Sequence, residues 1–202
     1  MEPDVQINTL VFPSKTYFIS LVILPRIGKD FLSGKFRIMK KDEFKFSFDV
    51  YDSIEELTEE DAWLLNEARE VTEHAYAPYS HFQVGAVAKL VNGEIVAGSN
   101  QENASFPVGL CAERVLLASA SSLYPQVAIE TMAISYQTGN GDSNHPISPC
   151  GICRQSLQEF ESRVKHPIRL ILGGMEGKIY VIPKAGILLP LAFTSEQLRG
   201  EW

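Results

Sequence analysis

Apolar and polar positions change period several times along the chain, and each change marks an element. From Thr58 the run Thr58-Glu59-Glu60-Asp61 gives a hydroxyl and then acids, and Trp63, Leu64, Ala68 and Val71 recur at helical spacing. That pattern predicts one amphipathic helix from Thr58 to about His74. After the turn-rich Ala77-Pro78-Tyr79-Ser80, two strand-like runs, Phe82 to Val91 and Glu94 to Gly98, flank Asn92-Gly93. Asn-Gly tolerates the left-handed backbone of a tight hairpin, so the two runs should pair antiparallel. A helix is expected from Cys111 through Leu117 and Ala120, a strand at Ile129 to Tyr136, and a helix from near Cys150 to about Phe160. Strands at Ile168 to Leu172 and Lys178 to Ile182 complete the pattern. The resulting order, α, β, β, α, β, α, β, β, implies an α/β fold in which helices cover a sheet.

Residues 1 to 38 show no sustained period and stop just before Met39-Lys40-Lys41, which reads like an ordinary protein start. The expected organisation is therefore an N-terminal extension over 1–38 and one domain over 39–202, with Met39 as a candidate initiator and a real arm or loosely packed strand as the alternative. Gly28 to Lys35 is no phosphate loop, because Phe36 stands where such a loop needs a hydroxyl and the glycine spacing is wrong. The apolar run Tyr17 to Leu24 is too short to span a bilayer, and Met1-Glu2-Pro3-Asp4 lacks a signal peptide's positive start. No membrane anchor is expected.

The chain has 202 residues, 45% of them hydrophobic, so it can bury a core without disulfide staples. Its net charge is −7, and the excess of acid falls after residue 38. Such a surface repels a polyphosphate and argues against nucleic acid as partner. Three cysteines fit a reducing compartment, where close thiols bind metal or do redox chemistry, so the cytoplasm is the expected location.

Those cysteines stand in two runs, Cys111-Ala112-Glu113-Arg114 and Pro149-Cys150-Gly151-Ile152-Cys153-Arg154. Three thiolates fill three corners of a zinc tetrahedron and leave the fourth open for water, which is the arrangement of a catalytic site. Both runs fall at expected helix starts, where backbone N–H groups and the helix dipole stabilise a thiolate. Three thiolates on Zn2+ leave excess negative charge, and Arg114 or Arg154 could offset it; Arg114 is the preferred residue. Glu113, two positions after Cys111, can face the open position without being a ligand and is the expected proton carrier.

The two runs match a zinc-deaminase signature, H-x-E followed by P-C-x-x-C, in its three-cysteine form. The chain resembles the cytidine deaminases, and the likeness extends to Tyr76-Ala77-Pro78-Tyr79-Ser80-His81-Phe82-Gln83-Val84-Gly85-Ala86, to Asn100-Gln101-Glu102-Asn103-Ala104-Ser105-Phe106 and to Leu188-Leu189-Pro190-Leu191-Ala192-Phe193. The resemblance covers about residues 50 to 198 and implies a three-layer α/β/α sandwich around a mixed five-stranded sheet. It implies hydrolysis of cytidine and 2′-deoxycytidine to uridine and 2′-deoxyuridine with release of ammonia, in pyrimidine salvage, with Glu113 carrying protons to N3 and the amino group. It further implies that Asn100 and Glu102 hold the ribose hydroxyls, that Ala112 offers backbone contacts, and that Phe82 lies beside the base. Phe193 corresponds to the aromatic that reaches a neighbouring subunit's pocket, which implies a homotetramer with shared sites. Gln101 and Phe106 depart from residues common in relatives, and neither departure removes a catalytic group.

Other readings compete. Cys150 and Cys153 alone could be a thiol redox pair, but dithiol exchange needs neither Cys111 nor Glu113. A closed structural zinc module needs a fourth ligand, which His74, His81, His145 or His166 could supply. Phe82 and Phe193 could be simple core, Asn100 and Glu102 a solvated strand edge, and Arg114 the partner of a surface acid. The same chemistry could also serve another aminopyrimidine nucleoside, such as a blasticidin S-like antibiotic, or a base in nucleic acid.

Overall fold

The structure, a computed structural model, describes residues 40–139 and 141–200. The expected extension, 1–38, lies outside the described residues. Helix α1, Glu59–Val71, begins where the acids are: Thr58 caps it by accepting the Asp61 N–H at 3.2 Å, and a 3-10 turn at Thr72–His74 ends it. Strands β1 (Asp49–Tyr51), β2 (Phe82–Leu90), β3 (Ile95–Ser99), β4 (Ile129–Thr138), β5 (Arg169–Gly173) and β6 (Ile179–Ile182) form one sheet in the order β1-β6-β5-β4-β2-β3. β4 and β5 are parallel, and the other neighbours are antiparallel. Helices α2 (Ala112–Leu123), α3 (Gly151–Val164) and α4 (Ser195–Arg199) complete the set among the described residues.

The sheet therefore has six strands, where five were expected. The added strand, β1, is three residues long and pairs Asp49 with Val181 and Tyr51 with Ile179. So short a segment carries too few positions for its period to be read, and its partner β6 alone defines it. The mixed sheet and the three-layer α/β/α arrangement are as expected.

Alternation on each strand divides the core in two. Leu64, Leu65 and Ala68 of α1 pack on Val87, Ala133, Ile171 and Val181. On the opposite face Leu116 and Ala120 of α2 and Leu157 and Phe160 of α3 pack on Ala86, Ala88, Met132, Ile134 and Leu170. Two glycines set how closely the layers approach. A Cβ on Gly85 would come within 2.1 Å of the Ala68 carbonyl, and one on Gly98 within 2.6 Å of the Ala112 carbonyl. Any side chain at Gly98 would push away the first turn of α2, the turn that carries Cys111 and Glu113. No helix of the described residues is long and apolar enough to cross a membrane.

Candidate active site and metal centre

Cys111 and Cys150 are the N-cap residues of α2 and α3, and neither uses its sulfur to cap. Backbone does the local work instead: the Cys111 carbonyl accepts Arg114 and Val115 N–H groups, and the Cys150 carbonyl accepts Arg154 N–H. Both sulfurs stay available at converging helix N-termini, where the dipole favours negative charge. Cys153, one turn into α3, is fully buried and faces the same point.

The Cys111 and Cys150 Sγ atoms are 3.9 Å apart, those of Cys150 and Cys153 3.5 Å, and all three lie within 4.8 Å of one another. All three cysteines are free thiols. Zinc–sulfur bonds of about 2.3 Å in a tetrahedron require sulfurs about 3.8 Å apart. The donor set and its spacing thus fit a zinc ion. Among the described residues no fourth His, Cys, Asp or Glu ligand joins them. His145, the histidine nearest to a cysteine in sequence, is engaged elsewhere: its ring meets Tyr136 edge-on, with the Tyr136 hydroxyl 3.4 Å from Nδ1.

The thiols shift one another's pKa in opposite directions. A hydrogen bond from Cys153 is the largest influence pulling the Cys111 thiol down to about 6, with help from Cys150 and the positive Arg114, against burial and Glu113. The reciprocal bond and burial push Cys153 up. Glu113 is 5% exposed, and burial raises its carboxyl pKa above the usual range, opposed by its own backbone N–H and by Cys153. A buried carboxyl with a raised pKa is a better proton acceptor than an exposed one.

These groups open onto a cleft of about 530 Å³, lined by Phe82, Asn100, Glu102, Cys111, Glu113 and Cys150 together with Ser80, Val84, Phe106, Leu110, Ile147 and Ser148. Asn100 is fixed by β2: Oδ1 accepts the Val84 N–H at 2.7 Å, and Nδ2 donates to the Phe82 carbonyl at 2.9 Å. One donor hydrogen and one lone pair remain for a ligand. Glu102 Oε2 accepts Tyr79 N–H at 2.8 Å and Ser80 N–H at 3.3 Å. The Ser80 hydroxyl and these backbone donors hold its pKa below the usual carboxylate range. His81, at φ 54°, makes the left-handed step that follows those donors.

Other expected residues lie around this cleft or away from it. Ala112 is fully buried in the first turn of α2. Arg114 turns to a second groove, beside Leu117 and Ser121 of α2 and Gln155 and Phe160 of α3, and acts on Cys111 through its charge. Arg154 donates to the Pro149 and Leu188 carbonyls. Phe193 is 57% exposed, and its carbonyl accepts Gln155 Nε2 at 2.7 Å. Sequence reasoning missed Tyr136, whose ring stacks on Phe82 at 5.1 Å and 18°. Its only signal was an aromatic at the end of a strand paired with Val84, which is the signal of ordinary core.

Residues 58–166 match the model of the cytidine and deoxycytidylate deaminase zinc-binding region. A cytidine deaminase of Halalkalibacterium halodurans is 38% identical over 136 residues, 67% of this chain and 96% of the relative. One of Mycobacterium tuberculosis is 37% identical over 141 residues, 68% and 92% of the two chains. The crystal structure of cytidine deaminase from Burkholderia pseudomallei superposes with a TM-score of 0.57 at 37% identity, covering 68% of this chain and all of that one. With a cysteine triad that could hold a metal ion on the same fold, the chain belongs to the cytidine and deoxycytidylate deaminase family, as an enzyme of the cytidine deaminase kind.

Proposed function

We propose that this chain hydrolyses cytidine and 2′-deoxycytidine to uridine and 2′-deoxyuridine, releasing ammonia, as a step of pyrimidine salvage in the cytoplasm. In this reading residues 39–202 are the deaminase domain and 1–38 an extension. Cys111, Cys150 and Cys153 hold Zn2+, and Arg114 offsets part of their negative charge from beside Cys111. Zinc held there supplies the Lewis acidity that makes water a nucleophile at neutral pH. Glu113 would take a proton from the attacking water and deliver it to ring N3, then take the second proton from the new C4 hydroxyl and give it to the departing 4-amino group, so that two protons are taken and two delivered. Its buried position and raised pKa support that role.

Phe82, held by the Tyr136 ring, offers a face beside the base, and the backbone at Ala112 offers it hydrogen bonds. The hydrogen-bonding capacity left on Asn100 and Glu102 suits the ribose hydroxyls. Homotetramer formation with shared sites is supported by the C-terminal segment: Leu191 is fully exposed and Phe193 more than half so, apolar surface that a neighbouring subunit's cleft would cover.

The observation that carries the substrate class is the charge of the cleft. Its lining holds two carboxylates, Glu102 and Glu113, and, among the described residues, no Lys, Arg or His. A 5′-phosphate placed there meets no cation in that lining, so a free nucleoside fits and a nucleotide does not. Parallel assays of cytidine, deoxycytidine and deoxycytidine 5′-monophosphate test this. The expected result is comparable kcat/KM for the two nucleosides and a value about 100-fold lower for the monophosphate, the loss of about 3 kcal/mol of charge complementarity. Equal or better use of the monophosphate would overturn the nucleoside reading.

A further inference from the structure

Before α1 the chain runs Glu43-Phe44-Lys45-Phe46-Ser47-Phe48-Asp49-Val50-Tyr51, with apolar residues at every even position. The rings of Phe44 and Phe46 are 6.2 Å apart, those of Phe46 and Phe48 6.1 Å, and Phe48 meets Tyr180 of β6 at 5.0 Å. A spacing near two strand residues places all three on one side of an extended segment. This row continues the sheet's edge: β1 is the terminal strand, and among the described residues it pairs with β6 alone. Phe44, Phe46, Phe48 and Val50 are 56%, 47%, 40% and 51% exposed. Four adjacent large apolar side chains, about half in water on a strand edge that pairs with no further strand among the described residues, form the kind of template that adds another strand. They lie outside the matched family region, residues 58–166.

The segment is complementary to itself. Directly opposite residues of an antiparallel pair point to the same face, so the Phe row of one copy meets that of another only in registers that pair even with even. Centred on Ser47, the register sets Phe46 opposite Phe48, Phe44 opposite Val50, and Lys45 opposite Asp49, each twice. Centred on Phe46 it sets Glu43 against Asp49, and centred on Phe48 it sets Phe44 against Asp52. The Ser47 register does bring Asp42 opposite Asp52 beyond the row's end, where Lys178 already pairs with Asp52.

We infer that the edge formed by residues 44–50 binds a second copy of this chain, antiparallel about Ser47, joining two sheets through a paired row of Phe44, Phe46, Phe48 and Val50. The contact is independent of any assembly that shares active sites. In the full chain bearing Ser47→Cys, loaded with zinc, mild oxidation should give a disulfide between the two introduced thiols as the main intermolecular cross-link, since opposite strand residues lie within disulfide reach. Lys45→Cys mixed with Asp49→Cys should cross-link to each other in preference to themselves. Phe46→Asp should lower the assembly mass in solution to about half while cytidine turnover per chain is kept.

Absence of the cross-link in Ser47→Cys, or an unchanged mass for Phe46→Asp, would overturn the inference. So would hydrogen-exchange protection over 44–50 that does not fall on dilution, which would assign the edge to a segment of the same chain.

Discussion

The Cys111 and Cys150 sulfurs lie 3.9 Å apart although 39 positions separate them in the chain, because each caps a helix and the two helices start at one point. Cys153 closes the triangle. Metal analysis of Cys150→Ala should therefore show zinc falling from about one per chain to near none, with deamination lost, since two thiolates and a water hold zinc far less tightly. Chelation of the wild type should also lower its thermal midpoint, because α2 and α3 start at the metal site.

Asn100 is both wall and fastener. Asn100→Ala removes its bonds to Val84 N–H and the Phe82 carbonyl and leaves two strand groups to find water. Urea unfolding should show a loss of about 1–3 kcal/mol. Because the same side chain faces the cleft, KM for cytidine should rise about tenfold or more.

Much of this was legible from residue order. The cysteine runs, the Thr58 cap, the Asn92-Gly93 hairpin and the alternation of β2 and β4 each rest on local chemistry, and local chemistry survives folding. What was not legible depends on distant partners. β1 exists because β6 lies beside it, and Tyr136 lies beneath Phe82 because β2 and β4 pair with Val84 opposite Tyr136. No short-range pattern encodes either. Arg114, directly after Glu113, and Arg154, directly after Cys153, both stand near the thiols in sequence, yet only the fold shows Arg154 spending its donors on Pro149 and Leu188 carbonyls.

Asp61 and Arg169 make a two-pronged ion pair, at 2.6 and 2.7 Å, tying α1 to β5 away from the cleft. The Asp61 side chain is 10% exposed and that of Arg169 34%. Asp61→Ala should cost about 2 kcal/mol, less than a fully buried pair because water reaches Arg169. Denaturant unfolding with a parallel assay should find stability reduced and kcat/KM unchanged.

Glu161 of α3 accepts Ile168, Ala185 and Gly186 N–H groups, fastening the residue before β5 and the chain after β6 to the helix. Burial, the largest influence, raises its pKa above the usual carboxylate value. Between that usual value and its own, the folded chain keeps a proton that the unfolded chain has released. Its contribution is thus complete below the usual value and declines as pH rises through the folded one. Glu161→Gln sets an amide NH₂ against the Gly186 N–H and should cost about 1–2 kcal/mol. That deficit should be largest near the ordinary carboxylate pKa and shrink toward neutral pH, as unfolding at matched zinc loading will show.

The most direct measurement pairs the ultraviolet absorbance assay of cytidine with zinc analysis for the wild type and Glu113→Ala. Both proteins should carry about one zinc per chain, and the variant's turnover should fall by roughly 10²–10⁴-fold, the span of a lost proton carrier. No loss of cytidine absorbance with zinc-loaded wild type, or full activity in Glu113→Ala, would contradict the account.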